Sequence, residues 1–278
     1  MTIKKGAIGA PVAELQQLLT RAGYKVVADG WFGDATEQAV LAFQRDHLIV
    51  AIGQAGPRTM AALRGAAIGN QLTITDLQQA ADRLGVELAK LAAFAQVEAA
   101  GEGFDECQRP RLLFERHVFY ARVAERHGNA QQGSAEAVRL AKLYPALCNP
   151  KRGGYQGGPA EWARLQTAMT LHRAAAIESA SWGMFQVMGY HWQALGYASA
   201  DEWLAAMQQS EREHLRAVVG FIELDPVLHK ALKAGKWADV ARRYNGPAYK
   251  ENRYDTKLAE ANDHFAKVYP VQEVADAH

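Results

Sequence analysis

Glu98 and the segment ESASWGMFQVMGYHW (178–192) hold the residue types that could do chemistry in this 278-residue chain. In LAKLAAFAQVEAAGEGF (88–104), Leu88, Leu91, Phe94, Ala95 and Glu98 fall on one helical face by the i, i+3, i+4 rule, so an apolar stripe ends on a carboxylate. Gly101 and Gly103 should stop that helix just beyond. Partial burial and the negative end of the helix dipole both disfavour the charged form of such a Glu. Both raise its pKa and keep it protonated near neutral pH, as a general acid must be. A solvated Glu at the edge of the stripe, beside Glu102, fits the same spacing. The segment 178–192 gathers five aromatic residues counting His191, with Gly183, Gly189 and a lone Gln186, and carries one acid, Glu178, at its left edge. A buried strand has no need of Gly183 or Gln186, and a surface loop has no need of Trp182, Phe185 and Trp192. His117 and His191 have no partners at metal-ligand spacing and read as structural. Cys107 and Cys148 form no metal-ligand pattern either and read as two reduced thiols.

The elements that must position these residues are mostly helical. Val12, Leu15, Leu19 and Ala22 recur at helical spacing before Gly23. DGWFGDATEQAVLAFQ (29–44) follows, where Asp34 and Glu37 make a capping-box pattern for a helix that turns Ala39, Val40 and Phe43 inward. Gly30, Gly33 and Thr36 reappear 23 residues later as Gly53, Gly56 and Thr59, so two turn-then-helix units sit side by side. Residues 64–71, RGAAIGNQ, read as a short linker of small residues, and Thr75 with Gln78 as a capping box that opens a larger helical region. NPKRGGYQGGP (149–159) reads as a flexible Gly-rich loop, and AAIESAS and REHLRAVVGFIEL as central helices. The fold class expected is mainly α: a small three-helix domain over 1–65, a linker at 66–75, and a larger helical domain over 76–278.

Residues 1–65 resemble the peptidoglycan-binding domain often attached to wall-degrading enzymes, through VAELQQLLTRAGY (12–24), DGWFGDAT (29–36), AVLAFQ (39–44) and GPRTMAAL (56–63). The second turn, IGQAGPRT, lacks the Asp that this family usually places before the first Gly. The resemblance implies wall binding through Asp29, Trp31 and Phe32. From about residue 76 the chain resembles the N-acetylmuramidase domain of modular phage endolysins, within the lysozyme-like superfamily. The match is carried by QVEAAGEGF (96–104), RLLFERHVFY (111–120), SASWGMFQVMGYHW (179–192) and ARRYNGPAY (241–249). A Glu at a helix end, a Gly-x-x-Gln segment and a Tyr-Asn-Gly turn also occur in goose-type lysozymes and lytic transglycosylases.

By this resemblance Glu98 is the catalytic acid and the glycan strand of peptidoglycan the substrate. Cleavage needs a proton on the leaving oxygen and stabilisation of an oxocarbenium-like transition state. The pKa logic for such a Glu is that of lysozyme, where a pocket keeps a carboxyl protonated. Glu115, in the FERH segment, is the first candidate for a second carboxylate, with an ion pair to Arg111 or Arg116 as its competing role. Glu178 is the other candidate, with a structural hydrogen-bonding role competing. Ser181, Gln186, Tyr244 and Asn245 are expected to position the substrate, because a Gln presents both donor and acceptor to sugar hydroxyls and N-acetyl groups. Trp182 and Tyr190 offer flat faces to pyranose rings, against core packing for each. Gly183 would let the backbone approach the glycan.

A net charge of +1 does not argue for nucleic acid or an anionic membrane. No cofactor is expected, and peptidoglycan is the partner of a monomer with no stable membrane association. The lysines of MTIKKGAIGA precede no apolar run, so a signal peptide is not expected. The resemblance then implies residence in the host cytoplasm until release to the wall through a holin-made lesion. The alternatives are a lytic transglycosylase giving 1,6-anhydro-muramyl products and a non-catalytic wall-binding protein.

Overall fold

The computed structural model of the chain describes residues 2–67, 69–99, 102–126 and 130–270. Near the N-terminus lie three helices, α1 (Ala10–Arg21), α2 (Asp34–Asp46) and α3 (Pro57–Leu63), around a core of Leu15, Leu19, Phe32, Val40 and Phe43. Each of the two echoing turns is held by a buried glutamine from the helix before it. Gln16 Nε2 donates to Asp29 Oδ1 (2.8 Å), the Trp31 carbonyl (3.0 Å) and Thr36 Oγ1 (2.9 Å), while its Oε1 accepts from Gly30 N–H (2.9 Å). Gln44 repeats the pattern on the Gln54 carbonyl (2.8 Å), Thr59 Oγ1 (3.0 Å) and Gly53 N–H (3.0 Å). The second turn has Ile52 where the first has Asp29, so one bond of the set is absent there.

Both expected capping boxes are placed differently. The α2 N-cap is Gly33 and makes no side-chain cap. Asp34 is the first helical residue, and it and Glu37 ion-pair with Lys5. The second box is two residues earlier than expected: Thr73 accepts from Asp76 N–H (3.2 Å) and Asp76 accepts from Thr73 N–H (2.9 Å), opening α4 (Ile74–Leu84). α5 (Leu88–Glu98) ends on Glu98 itself, before Gly103; Gly101 lies outside the described residues. It is more central than its stripe implied, since Ala89 and all of residues 91–95 are buried.

A small antiparallel sheet, order β1-β2-β3, was not legible as strand alternation. β1 (Leu112–Phe114) pairs with β2 (Ala180–Trp182), Leu112 opposite Trp182, and β2 pairs with β3 (Val187–Met188). Between the first two strands run α6 (Arg116–Glu125), α7 (Ala130–Leu143) and α8 (Ala160–Glu178). After the sheet come α9 (Ala200–Gln209), α10 (Glu211–Leu224), α11 (Pro226–Lys233), α12 (Trp237–Asn245) and α13 (Tyr254–Val268). The chain is therefore mainly α. No described helix is long and apolar enough to cross a membrane.

The chain divides into two compact units, Met1–Val97 with Ala231–His278, and Glu98–Lys230. In the first unit, the loop after α2 is fastened to α13 and the residue following it: Ala51 N–H donates to Tyr269 Oη (2.8 Å), and His264 Nε2 lies 3.4 Å from the Ala51 carbonyl. In the second unit the sheet and α8 carry the core, with Phe114, Phe119, Leu165 and Ile177 fully buried.

Candidate active site

Glu98 is partly buried at the last turn of α5, where the helix leaves its final carbonyls without intrahelical donors. The loop beyond it is pinned to the sheet by backbone bonds. Arg111 N–H donates to the Gly103 carbonyl (2.9 Å), and the Arg111 carbonyl accepts from Gly183 N–H (2.7 Å). One residue thus links the segment after Glu98 to the β2–β3 turn that carries Gln186.

Two residues of α10, unremarked in the sequence, lock this junction. Buried Glu211 accepts from Gly103 N–H (2.7 Å). Buried His214 accepts from Met184 N–H at Nδ1 (3.2 Å), and its Nε2 donates to the Met207 carbonyl (2.8 Å). That pair of bonds requires the neutral imidazole with its proton on Nε2. Burial lowers the His214 pKa, against the raising influence of the Met207 bond and of Glu211 and Glu213. The ring stacks on Phe104, 5.1 Å between centroids. A Cβ on Gly183 would lie 2.5 Å from His214 Cγ, and one on Gly103 2.6 Å from His214 Nδ1. Gly183 therefore makes room for an imidazole from its own fold, a need that the expected approach of the glycan does not account for.

The segment 178–192 divides by exposure. Ser181 Oγ donates to Gln186 Oε1 (2.8 Å), and Gln186 Nε2 donates to the Gly183 carbonyl (2.8 Å). Gln186 sits at φ 52°, a left-handed conformation unusual outside glycine, so the turn holds its amide in one orientation. Trp182 is 1% exposed, donates to the Ile177 carbonyl (3.0 Å) and packs edge-on against Trp162, so its face is not available to a sugar. Tyr190, 37% exposed, keeps an accessible ring and lies under the Arg122 guanidinium. His191 packs against Phe221, and burial lowers its pKa, with Arg122 adding to the effect.

Glu178 is buried in an internal ion pair with Arg126, accepts from Trp192 Nε1 (2.6 Å), and has Arg122 Nε at 3.4 Å. Its carboxylate is saturated by the fold. Glu115 pairs with neither Arg111 nor Arg116. Its Oε2 accepts from Tyr155 Oη (2.8 Å) and stands 3.1 Å from His117 Nδ1, close enough to attract but off the line of a hydrogen bond. Arg116 instead donates to the Lys151 and Arg152 carbonyls (both 2.9 Å). From the other side, Glu161 accepts from Gln156 N–H (2.6 Å) and Gly157 N–H (3.0 Å), and from Phe114 N–H of β1 (3.1 Å). Burial alone would raise the Glu161 pKa; these donors and Arg164 outweigh it and hold the carboxyl below its usual range. The 149–159 loop, expected to be flexible, is clamped at both ends, and Tyr155 stands 45% exposed over Glu115. Glu115 N–H donates to the Ser179 carbonyl, so Glu115 and the Glu98 loop attach at opposite ends of the β1–β2 pair.

In the other unit, Tyr244 rests edge-on against Phe94, one helical turn before Glu98 on α5, with ring centroids 5.0 Å apart. Asn245 ends α12 beside it in sequence and is partly buried. Of the three wall-binding candidates Trp31, 60% exposed, and Asp29 face outward. Phe32 is fully buried in the core, and Asp29 takes the Trp31 N–H and the Gln16 amide, donors that lower its pKa. Cys107 and Cys148 are free thiols, and among the described residues no three His, Cys, Asp or Glu side chains converge as a metal site would require.

Residues 87–266 match the family model for N-acetylmuramidase, and residues 8–63 that for a putative peptidoglycan binding domain. Among solved structures, the crystal structure of the Burkholderia AP3 phage endolysin is similar, with 46% sequence identity and a TM-score of 0.88 over 96% of this chain and 98% of that one. No relative among curated proteins matches the chain.

Proposed function

The chain belongs to the N-acetylmuramidase family, and on that premise we propose that it is an endolysin that cleaves peptidoglycan with Glu98 as its general acid. The bond broken is the β-1,4 link between N-acetylmuramic acid and N-acetylglucosamine, and peptidoglycan is the partner of both matched regions. The observation that carries the assignment of Glu98 is its seat. It ends a buried helix, and the loop beyond it is tied through Arg111 to the turn holding Gln186. Leaving-group protonation needs a proton donor held near the substrate-positioning residues, and Glu98 is the carboxyl proposed for it. Gln186, fixed by Ser181 and Gly183, presents what remains of its amide to sugar hydroxyls, and Tyr190 offers the accessible ring. Tyr244 and Asn245 serve as further positioning residues.

Glu178, neutralised by Arg126, is a poor second carboxylate. Glu115 keeps a 15% exposed side chain and stays the candidate, with Tyr155 and His117 orienting it. Residues 1–65 act as the anchor, holding the catalytic region of 76–278 near its polymer and raising its effective concentration, with 66–75 as linker. Trp31 is an exposed contact of that anchor. The protein works as a monomer without stable membrane association, accumulates in the host cytoplasm and reaches the wall through a holin-made lesion.

Mass spectrometry of sacculi digested by the full chain tests bond and mechanism together. Hydrolysis leaves reducing N-acetylmuramic acid ends, whereas 1,6-anhydro-muramyl ends would make the protein a transglycosylase. Glu98→Gln should lower the rate by about 10²–10⁴, the usual worth of a positioned general acid. Undiminished cleavage by that variant would remove Glu98 from the mechanism.

A further inference from the structure

Lys257, Glu260 and His264 stand at i, i+3 and i+7 of α13 and so share one face of the helix. That face lines a cleft of about 520 Å³, closed on its other sides by Lys4, by Gln54 of the second turn and by Gln96 of α5. The cleft is a fixed part of its unit, because the Ala51 N–H bond to Tyr269 and the His264 contact hold the second turn against this end of the chain. Its lining is more charged than a neutral glycan requires. Lys4, Lys257 and Glu260 are exposed and form no ion pair among the described residues, and two primary amides stand among them. Lys5, also at the cleft, is already matched by Asp34 and Glu37.

A ligand that suits two ammoniums, an imidazole, a carboxylate and two amides carries free carboxylates, an amino group and peptide bonds along a short chain. We propose that this cleft binds the peptide stem of peptidoglycan, a site additional to the one that cleaves the glycan. The inference rests on the muramidase reading for the identity of the polymer. Gln96 lies two residues before Glu98 on the same helix, so a stem held there would be tethered to a muramyl residue near the helix end that carries the proposed acid. Recognition of the stem would then favour stem-bearing wall over bare glycan.

The probe is the free stem tetrapeptide, titrated into the full chain by calorimetry, with Lys257→Glu and Lys4→Glu compared with wild type. Both positions are exposed, so both variants should keep the wild-type circular dichroism spectrum. The expected result is saturable binding by wild type, weakened about tenfold or more in Lys257→Glu by replacing attraction with repulsion. Absence of binding to wild type, or equal binding by Lys257→Glu, overturns the proposal. The same preparations are assayed on sacculi: cleavage without stem binding sinks this inference alone, and absence of cleavage by wild type sinks the muramidase reading instead.

Discussion

Gly183→Ala distinguishes two reasons for a glycine beside a candidate sugar-binding turn. Gly183 has φ 69°, where an alanine costs about 1–2 kcal/mol. Its new Cβ would also stand 2.5 Å from His214 Cγ, and relieving such an overlap in a packed interior costs about 1–3 kcal/mol more. The expected loss is therefore about 2–5 kcal/mol. Gly103→Ala isolates the overlap, because Gly103 is not in the left-handed region but would meet His214 Nδ1 at 2.6 Å, so it should cost about 1–3 kcal/mol. Removing the ring with His214→Ala is itself costly, since Met184 N–H and the Met207 carbonyl lose their partners. In that background the overlap with Glu211 Cγ at 2.9 Å remains, so Gly103→Ala should become cheaper without becoming free, giving a coupling of about 0.5–3 kcal/mol in a double-mutant cycle. Urea unfolding followed by near-ultraviolet circular dichroism gives the four stabilities, and turnover of sacculi gives KM and kcat for the variants that remain folded. If Gly183→Ala leaves the unfolding midpoint unchanged and only raises KM, the glycine serves the substrate and the clearance argument is wrong. Additivity of Gly103→Ala and His214→Ala would refute it equally.

Gln16→Leu leaves Gly30 N–H without its partner and removes one of the donors to the Trp31 carbonyl, which keeps Gly33 N–H, a loss of about 1–3 kcal/mol. It should also reduce pelleting of the full chain with sacculi, because the turn it holds presents Trp31; retained pelleting at reduced stability would remove Trp31 from the anchor. Glu178→Gln strips the charge facing Arg126 and should cost about 1–3 kcal/mol, reduced from the fully buried figure because Arg126 is a third exposed, while KM and kcat of the folded fraction stay put. A change in kcat larger than tenfold would return Glu178 to the catalytic machinery. Acid should loosen the fold through His214 and His191, whose folded pKa values burial holds below the ordinary 6.5. Above pH 6.5 both states are neutral and stability is full. Below it the unfolded chain takes up protons that the folded chain refuses, and each histidine removes at most about 1.4 kcal/mol per pH unit. His214→Gln should flatten that dependence in a pH series of unfolding midpoints, and an unchanged slope would exclude His214 as a contributor.

The helical faces of the N-terminal region were legible because their apolar spacing is regular: Leu15, Leu19, Val40 and Phe43 are buried as the periodicity requires. Glu98 was legible for a related reason, as a carboxylate closing an apolar run. The sheet was not, because strands of two or three residues are too short to show alternation, and all three residues of β2 are buried. The first capping box was misplaced because Asp34 and Glu37 match the pattern yet answer to Lys5, a partner about thirty residues away that spacing alone cannot reveal. Trp182 and Tyr190 illustrate the limit for site residues. Both are aromatic, both lie in the same segment, and only burial separates the ring that packs from the ring that can meet a sugar.

The polar residues that sequence reasoning passed over share a task. Gln16 and Gln44 each secure a glycine-bearing turn, Glu161 with Arg116 secures the 149–159 loop, and Glu211 with His214 secures the junction beyond Glu98. In each case a side chain from a helix satisfies backbone groups that a Gly-rich segment cannot satisfy within itself. Glycine permits the required turns but raises the conformational entropy to be lost, so a segment rich in it stays in one conformation only if something outside it supplies the bonds. A buried Gln, Glu or His near such a segment therefore has a structural explanation before it has a catalytic one. Glu98 is distinguished from these residues by position: it ends its own helix, while the neighbouring loop is clamped by others. Glu211 and His214 hold that loop, so under the proposed mechanism Glu98 is the carboxyl left for the proton transfer.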